Sequence, residues 1–207
     1  SERFHENFND AEIYNEFNLD PNKTTILFFA GGEFGLGRKR TFLIFRALIR
    51  LFKKFQIVAI SGKNKKMNEK FNHLVEAYGV ADRVKVLDYT NKVPELMHIS
   101  NIVITKPGGL TTTESLASNL PIVIINPIPG QEEENADFLV RNGVAIWIKK
   151  EDNIARVLKN LYRHPEKIDE MKKNIPNLAK PDSTKNICEI LMNTWLLCIL
   201  YNKREDN

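Results

Sequence analysis

The chain has 207 residues, 43% hydrophobic and 27% charged, which places it among ordinary globular proteins with a core of their own. Its net charge of +4 permits contact with phosphates or anionic lipid without demanding it, and no apolar run reaches the ~20 residues of a bilayer span. No signal-peptide pattern opens it, and its two cysteines, Cys188 and Cys198, fall in one helical stretch about 15 Å apart, too far to bridge, as suits a reducing cytosol.

In chain order, residues 1–22 are polar and read as a linker with a short helix near Asp10–Phe17. A start on Ser1 rather than Met is expected of a piece of a longer protein. Thr24–Ala30 is β-branched and aromatic without alternation, the pattern of a parallel strand buried on both faces. A glycine-rich loop, with Gly31, Gly32, Gly35 and Gly37, leads into a helix over Arg38–Lys54. Its apolar stripe is Phe42, Phe45, Leu48, Ile49 and Phe52. Gln56–Ser61 is a second strand, and Met67–Tyr78 a helix closed by Gly79. Val84–Leu87 is a third strand, and Val93–Ser100 a short helix with Pro94 in its first turn.

Ile102–Thr105 is a fourth strand, Leu110–Ser118 a helix, Ile122–Asn126 a fifth strand and Gln131–Asn142 a helix ended by Gly143. Val144–Ile148 closes the sheet. Helices follow over Glu151–His164 and to about Asn174, and a last one from Asp182-Ser183 to about Tyr201. This alternation predicts an α/β fold: one Rossmann-like, doubly wound parallel sheet of about six strands over residues 23–180, with residues 181–207 as a C-terminal helix. That helix carries an apolar stripe of Ile187, Ile190, Leu191, Trp195 and Leu196. The stripe suits packing on its own sheet, on a further domain or on a second copy. Basic residues cluster at Arg38-Lys39-Arg40, Lys53-Lys54 and Lys63–Lys66, read first as solvated surface.

In an open α/β sheet, ligands bind beyond the carboxyl ends of the strands, so the loops there hold the candidate chemistry. The glycine loop at 31–37 lets backbone approach a ligand, but it matches neither the dinucleotide fingerprint nor the P-loop. Lys106-Pro107-Gly108-Gly109 leads into Thr111-Thr112-Thr113 and Glu114. Hydroxyls and bare N–H groups at a helix start seat a diphosphate, and a carboxylate one turn further accepts from ribose hydroxyls. A capping box, with Thr111 as N-cap and Glu114 three residues on, explains the same letters. Pro127-Ile128-Pro129-Gly130 leads into Gln131, Glu132, Glu133, Glu134 and Asn135. Gln131, Glu132 and Asn135 offer the paired donors and acceptors that sugar hydroxyls want. Complementing the helix dipole explains Glu133 and Glu134 well, and Glu132 less well.

Taken together, Ile104–Thr111, Glu114 and Pro127-x-Pro129-Gly130-Gln131-Glu132-x-x-Asn135 resemble the C-terminal domain of diacylglycerol glycosyltransferases. That family includes monogalactosyldiacylglycerol synthases and processive diacylglycerol glucosyltransferases, and is related to the GlcNAc-transferase that makes lipid II. The resemblance covers residues 20–200 and includes the glycine loop. It implies half of a GT-B fold, whose C-terminal domain holds a UDP-sugar while an N-terminal domain holds acceptor and catalytic base. On that pattern Gly108, Gly109, Thr111 and Thr112 hold the diphosphate, Glu114 the ribose, and Gln131, Glu132 and Asn135 the sugar. The resemblance further implies an inverting, UDP-sugar-dependent hexosyltransferase without cofactor or bound metal. It acts on a lipid acceptor and binds no nucleic acid.

The implied setting is cytoplasmic, peripheral at the cytoplasmic membrane face, with a dimer through the C-terminal helix as one arrangement. His5, His73, His98 and His164 sit away from the three loops, so no base is placed and the chain alone is expected to be inactive. A UDP-sugar 2-epimerase domain and a noncatalytic nucleotide-binding subunit completed by a partner chain are the alternatives.

Overall fold

The computed structural model describes residues 4, 8–30, 38–180 and 182–205, with the side chains of all of these but 38 and 195–205. The glycine loop at Gly31, Gly32, Gly35 and Gly37 lies outside the described residues. In chain order the elements begin with α1 (Asp10–Glu16), β1 (Thr25–Phe29), α2 (Arg38–Leu51), β2 (Gln56–Ile60) and α3 (Lys65–Tyr78). They continue through β3 (Val84–Leu87), α4 (Val93–Ile99), β4 (Ile102–Thr105), α5 (Gly109–Ala117), β5 (Ile122–Ile125) and α6 (Gln131–Arg141). The chain ends with β6 (Ala145–Ile148), α7 (Ile154–Arg163), α8 (Glu166–Leu178) and α9 (Ser183–Glu205).

The six strands form one sheet in the order β3-β2-β1-β4-β5-β6. Every pairing is parallel, and β1 meets β2 at Ile26↔Ile57 and β4 at Ile26↔Ile102. The doubly wound expectation therefore holds, and strand order reverses between β1 and β4. The inner strands β1, β2, β4 and β5 are buried on both faces and so read as nearly continuous apolar runs, while the edge strand β3 is half-exposed and carries Lys85. Successive side chains still point to opposite faces. Ile26 and Phe28 join one core with α2, α3 and α7, while Leu27 joins the other with α1, α4 and α6.

Buried polar side chains pin the strand ends. Gln56, only 2% exposed, takes the Asp20 N–H at 2.9 Å and donates to Asp20 O at 2.9 Å and to Thr25 Oγ1 at 2.8 Å. Asn101 Oδ1 takes the Thr25 N–H at 2.8 Å. These bonds set the entry to β1 against β2 and β4.

Residues 8–22 pack on the rest of the fold. The short helix forms as expected, but Ile13 and Leu19 are buried in the core shared with α4, and His98 Nε2 pairs with Asp10 Oδ1 at 2.8 Å. Burial of two aliphatic side chains offsets the ordering of a polar segment. Helix α8 runs past the expected stop at Asn174, through Pro176 to Leu178, because Met171 and Ile175 are both buried. Along α9, Ile187, Ile190, Leu191 and Met192 are exposed, while the side chains of Trp195 and Leu196 lie outside the described ones. No helix among the described residues is long and apolar enough to cross a membrane. Cys188 is an exposed free thiol.

Candidate functional site

Beyond the carboxyl ends of β1, β2 and β4, at the point where strand order reverses, lies a cleft of about 330 Å³. Phe29, Ile60 and Thr105, each at a strand end, form its base; Gly62, Lys106, Gly108, Thr111 and Glu132 complete the lining. Two of the three expected loops thus meet in one space. Broader hollows of about 700 Å³ along α7 and 550 Å³ between α2 and α3 lie on helix surfaces, and no strand residue lines either.

Helix α5 starts earlier than the sequence suggests. Gly108 is its N-cap in extended conformation (φ −67°, ψ 145°), and its first turn is Gly109, Leu110 and Thr111. No side chain caps it, so the capping box with Thr111 does not form. The N–H groups of that first turn have no helical acceptor, and the helix dipole adds positive potential there. The first intrahelical bond is Thr112 N–H to Gly108 O, 2.9 Å. Thr111 lines the cleft. Thr112 is placed differently: its N–H is spent in the helix, and its hydroxyl is buried without a partner. The structure therefore offers Thr112 little means of touching a diphosphate, because the early helix start turns it inward.

Neither Gly108 nor Gly109 is demanded by the chain. Neither has a positive φ. An added Cβ at Gly108 meets only Glu132 Oε1, at 3.9 Å, and at Gly109 meets nothing within 4 Å. Gly130 differs, since its φ of 93° needs glycine to turn the chain into α6.

Helix α6 closes the cleft from the other side. Glu132 Oε2 accepts the Ile128 N–H at 2.7 Å and so folds the Pro-Gly loop back on its own helix. Glu132 thus does more than complement the dipole, as Glu133 and Glu134 in the same turn do. Asn135 Nδ2 donates to Pro107 O at 3.0 Å, tying α6 to the residue before Gly108. Asn135 is a support for the loop in this geometry. Gln131 is exposed at the start of α6 and does not line the cleft.

Glu114 is half-buried on α5, and burial holds its carboxyl above the usual glutamate range. An ionised carboxylate in that position favours a ligand that donates hydrogen bonds to it. Lys106 is the charged lining residue to which the sequence assigned no role. Its position directly after β4, on the strand-end side of the glycine pair, was the available signal. Among the described residues, no group of three His, Cys, Asp or Glu is placed to hold a metal ion.

Residues 11–178 match the family model for glycosyl transferases group 1. The processive diacylglycerol beta-glucosyltransferase of Bacillus subtilis (strain 168) is 34% identical over 190 residues, 92% of this chain and 48% of that protein. The enzyme of the same name from Bacillus pumilus is 35% identical over 179 residues, 86% of this chain and 45% of that protein. The chain thus spans about half the length of the curated relatives it matches. Among solved structures, Acinetobacter baumannii MurG superposes with a TM-score of 0.68 at 21% identity, over 87% of this chain and 52% of that one. A complex of S. aureus MnaA with UDP superposes with a TM-score of 0.71 at 18% identity, over 93% and 50%. At such identities these two likenesses speak for the fold.

Proposed function

This chain belongs to the group 1 glycosyl transferases, and from that premise we propose that it is the donor-binding domain of an inverting transferase that passes a hexose from a UDP-sugar to a lipid acceptor such as diacylglycerol. One observation carries the reading. The bare first turn of α5, the cleft-lining Lys106 and the loop folded by Glu132 converge on one cleft where strand order reverses.

The roles assigned on this reading are these. The N–H groups of Gly109, Leu110 and Thr111 meet the diphosphate, and Lys106 adds a positive charge beside it. Glu114, ionised, accepts hydrogen bonds from the ribose hydroxyls. Glu132 faces the sugar from the cleft wall, Gln131 is assigned to sugar hydroxyls that project beyond the cleft, and Asn135 holds the Gly108 loop in place through Pro107 O. In the displacement the bond from the anomeric carbon to the leaving phosphate oxygen breaks as the acceptor oxygen attacks from the opposite face. Negative charge then grows on the diphosphate. Fixed N–H donors at a helix start stabilise that charge without reorganising, so the proposed reaction draws on no metal. The acceptor site and the base are assigned to the remainder of the relatives' length. The setting proposed is the cytoplasmic face of a membrane.

Calorimetry of the 207-residue chain with UDP, ADP, UDP-glucose and UDP-galactose tests the reading. UDP should bind and ADP should not; equal affinity for ADP would remove the family-specific part of it. The chain alone should transfer no hexose to diacylglycerol, and robust turnover would refute the half-site assignment.

A further inference from the structure

The two helical layers that sandwich the sheet carry opposite charge. Helices α2, α3 and α7 pack on one face and hold eleven Lys and Arg against two Glu. Helices α1, α4, α5 and α6 on the other face hold nine Asp and Glu against one Arg. The modest net charge of +4 conceals this segregation.

The basic side also breaks a local rule. None of α2, α3 and α7 has an acidic residue in its first turn, whereas α2 opens on Arg38-Lys39-Arg40 and α3 on Lys65-Lys66. Cations at a helix N-terminus oppose the macrodipole, so these positions cost stability unless an anion meets them. Between α2 and α3 runs a groove of about 550 Å³. Its rim carries Lys39, Lys66 and Lys70, and its floor is Phe42, Met67 and Leu74. The acidic groups on this side include Glu69 and Glu76 on α3, with Glu76 3.8 Å from His73, Glu151 and Asp152 ahead of α7, Glu166 2.9 Å from His164 just after it, and Glu170 of α8 beside it.

We propose that the outer face of α2, α3 and α7 is a docking surface for an anionic lipid bilayer, with the groove between α2 and α3 taking a phospholipid headgroup. Lysines around an apolar floor suit an interface, where stems lie on apolar surface and ammonium groups reach phosphates. Among the described side chains of these helices, Tyr78 is the exposed aromatic, which gives a nucleic acid little to stack on. Lys39 and Lys66 stand in the first turns of helices that follow β1 and β2, so the docked face borders the edge where the cleft opens. The choice of a bilayer over another polyanion rests on the transferase reading above; the charge segregation does not.

The test is co-sedimentation of the 207-residue chain with phosphatidylglycerol-containing and pure phosphatidylcholine vesicles, beside UDP calorimetry. The chain should bind the former alone, and less as salt rises. The triple variant Lys39→Glu, Lys66→Glu, Lys70→Glu should lose about tenfold or more of that affinity. Two of these reversals favour the helix dipole, so melting temperature and UDP affinity should hold. The charge-matched variant Lys173→Glu, Lys180→Glu, Lys185→Glu, whose side chains are exposed outside the three helices, should stay near wild type. Equal losses in both triples would reduce the effect to net charge and overturn the proposal. So would binding to neutral vesicles, or a duplex DNA held as tightly through the same lysines. Absent vesicle binding with intact UDP binding overturns this proposal and spares the transferase reading; the reverse pattern does the opposite.

Discussion

Glycine at 109 sits in ordinary helical backbone, with open space where a side chain would go. Alanine is the better helix residue by roughly 1 kcal/mol, so Gly109→Ala should leave the melting temperature unchanged or raise it. It should also weaken UDP binding at least tenfold by placing a methyl where the diphosphate approaches; thermal melts and calorimetry on one preparation separate the two effects. Glu114 tests the site in the opposite direction. Burial raises its pKa in the folded state, so ionising it costs stability. That cost is absent below the ordinary glutamate value, near 4.3, and grows as pH rises through the raised value. Glu114→Gln should therefore match or exceed the wild-type melting temperature at neutral pH while weakening UDP. Wild-type UDP affinity should fall on acidification as the carboxylate protonates, and the Gln variant should show a flat profile. A lower melting temperature with unchanged UDP affinity would give Glu114 a structural role instead. At this scale the sequence showed the residue types at two helix starts. It hid that Asn135 serves Pro107 and that Thr112 turns inward, because both depend on where α5 begins.

Arg83 belongs to the scale of elements. It is 8% exposed and donates to Ile49 O at 2.8 Å and Phe52 O at 3.1 Å, closing the C-terminal turn of α2. Burial lowers its pKa, and the adjacent Asp82 partly offsets this. The helix dipole places negative potential where the guanidinium sits. Arg83→Met should cost about 2–3 kcal/mol, read as a lower denaturant midpoint, because two carbonyls lose a charged donor. Arg83→Lys should recover less than half, since an ammonium cannot fork to both. Nothing in Ala81-Asp82-Arg83 marks this clamp in the sequence, because its acceptors are main-chain groups some thirty residues away. By contrast, the strands were legible to within a residue or two. Apolar runs between turn signals have few other uses in a chain of this composition. The length of α8 was not legible, since tertiary burial of Met171 and Ile175 overrides Pro176.

For the whole molecule, the order β3-β2-β1-β4-β5-β6 places the first strand in the middle of the sheet. Its partner on one side, β2, follows within one helix, while its partner on the other, β4, comes only after β2, β3 and their helices. During synthesis from the N-terminus, a nascent chain that has released β3 but not β4 can pair three strands. It then presents Ile26, Leu27 and Phe28 along an open edge. Such an edge is a template for another chain. Translation pauses before residue 102 should therefore raise the aggregated fraction, and an arrest-peptide force profile should show its main rise as β4 clears the ribosome.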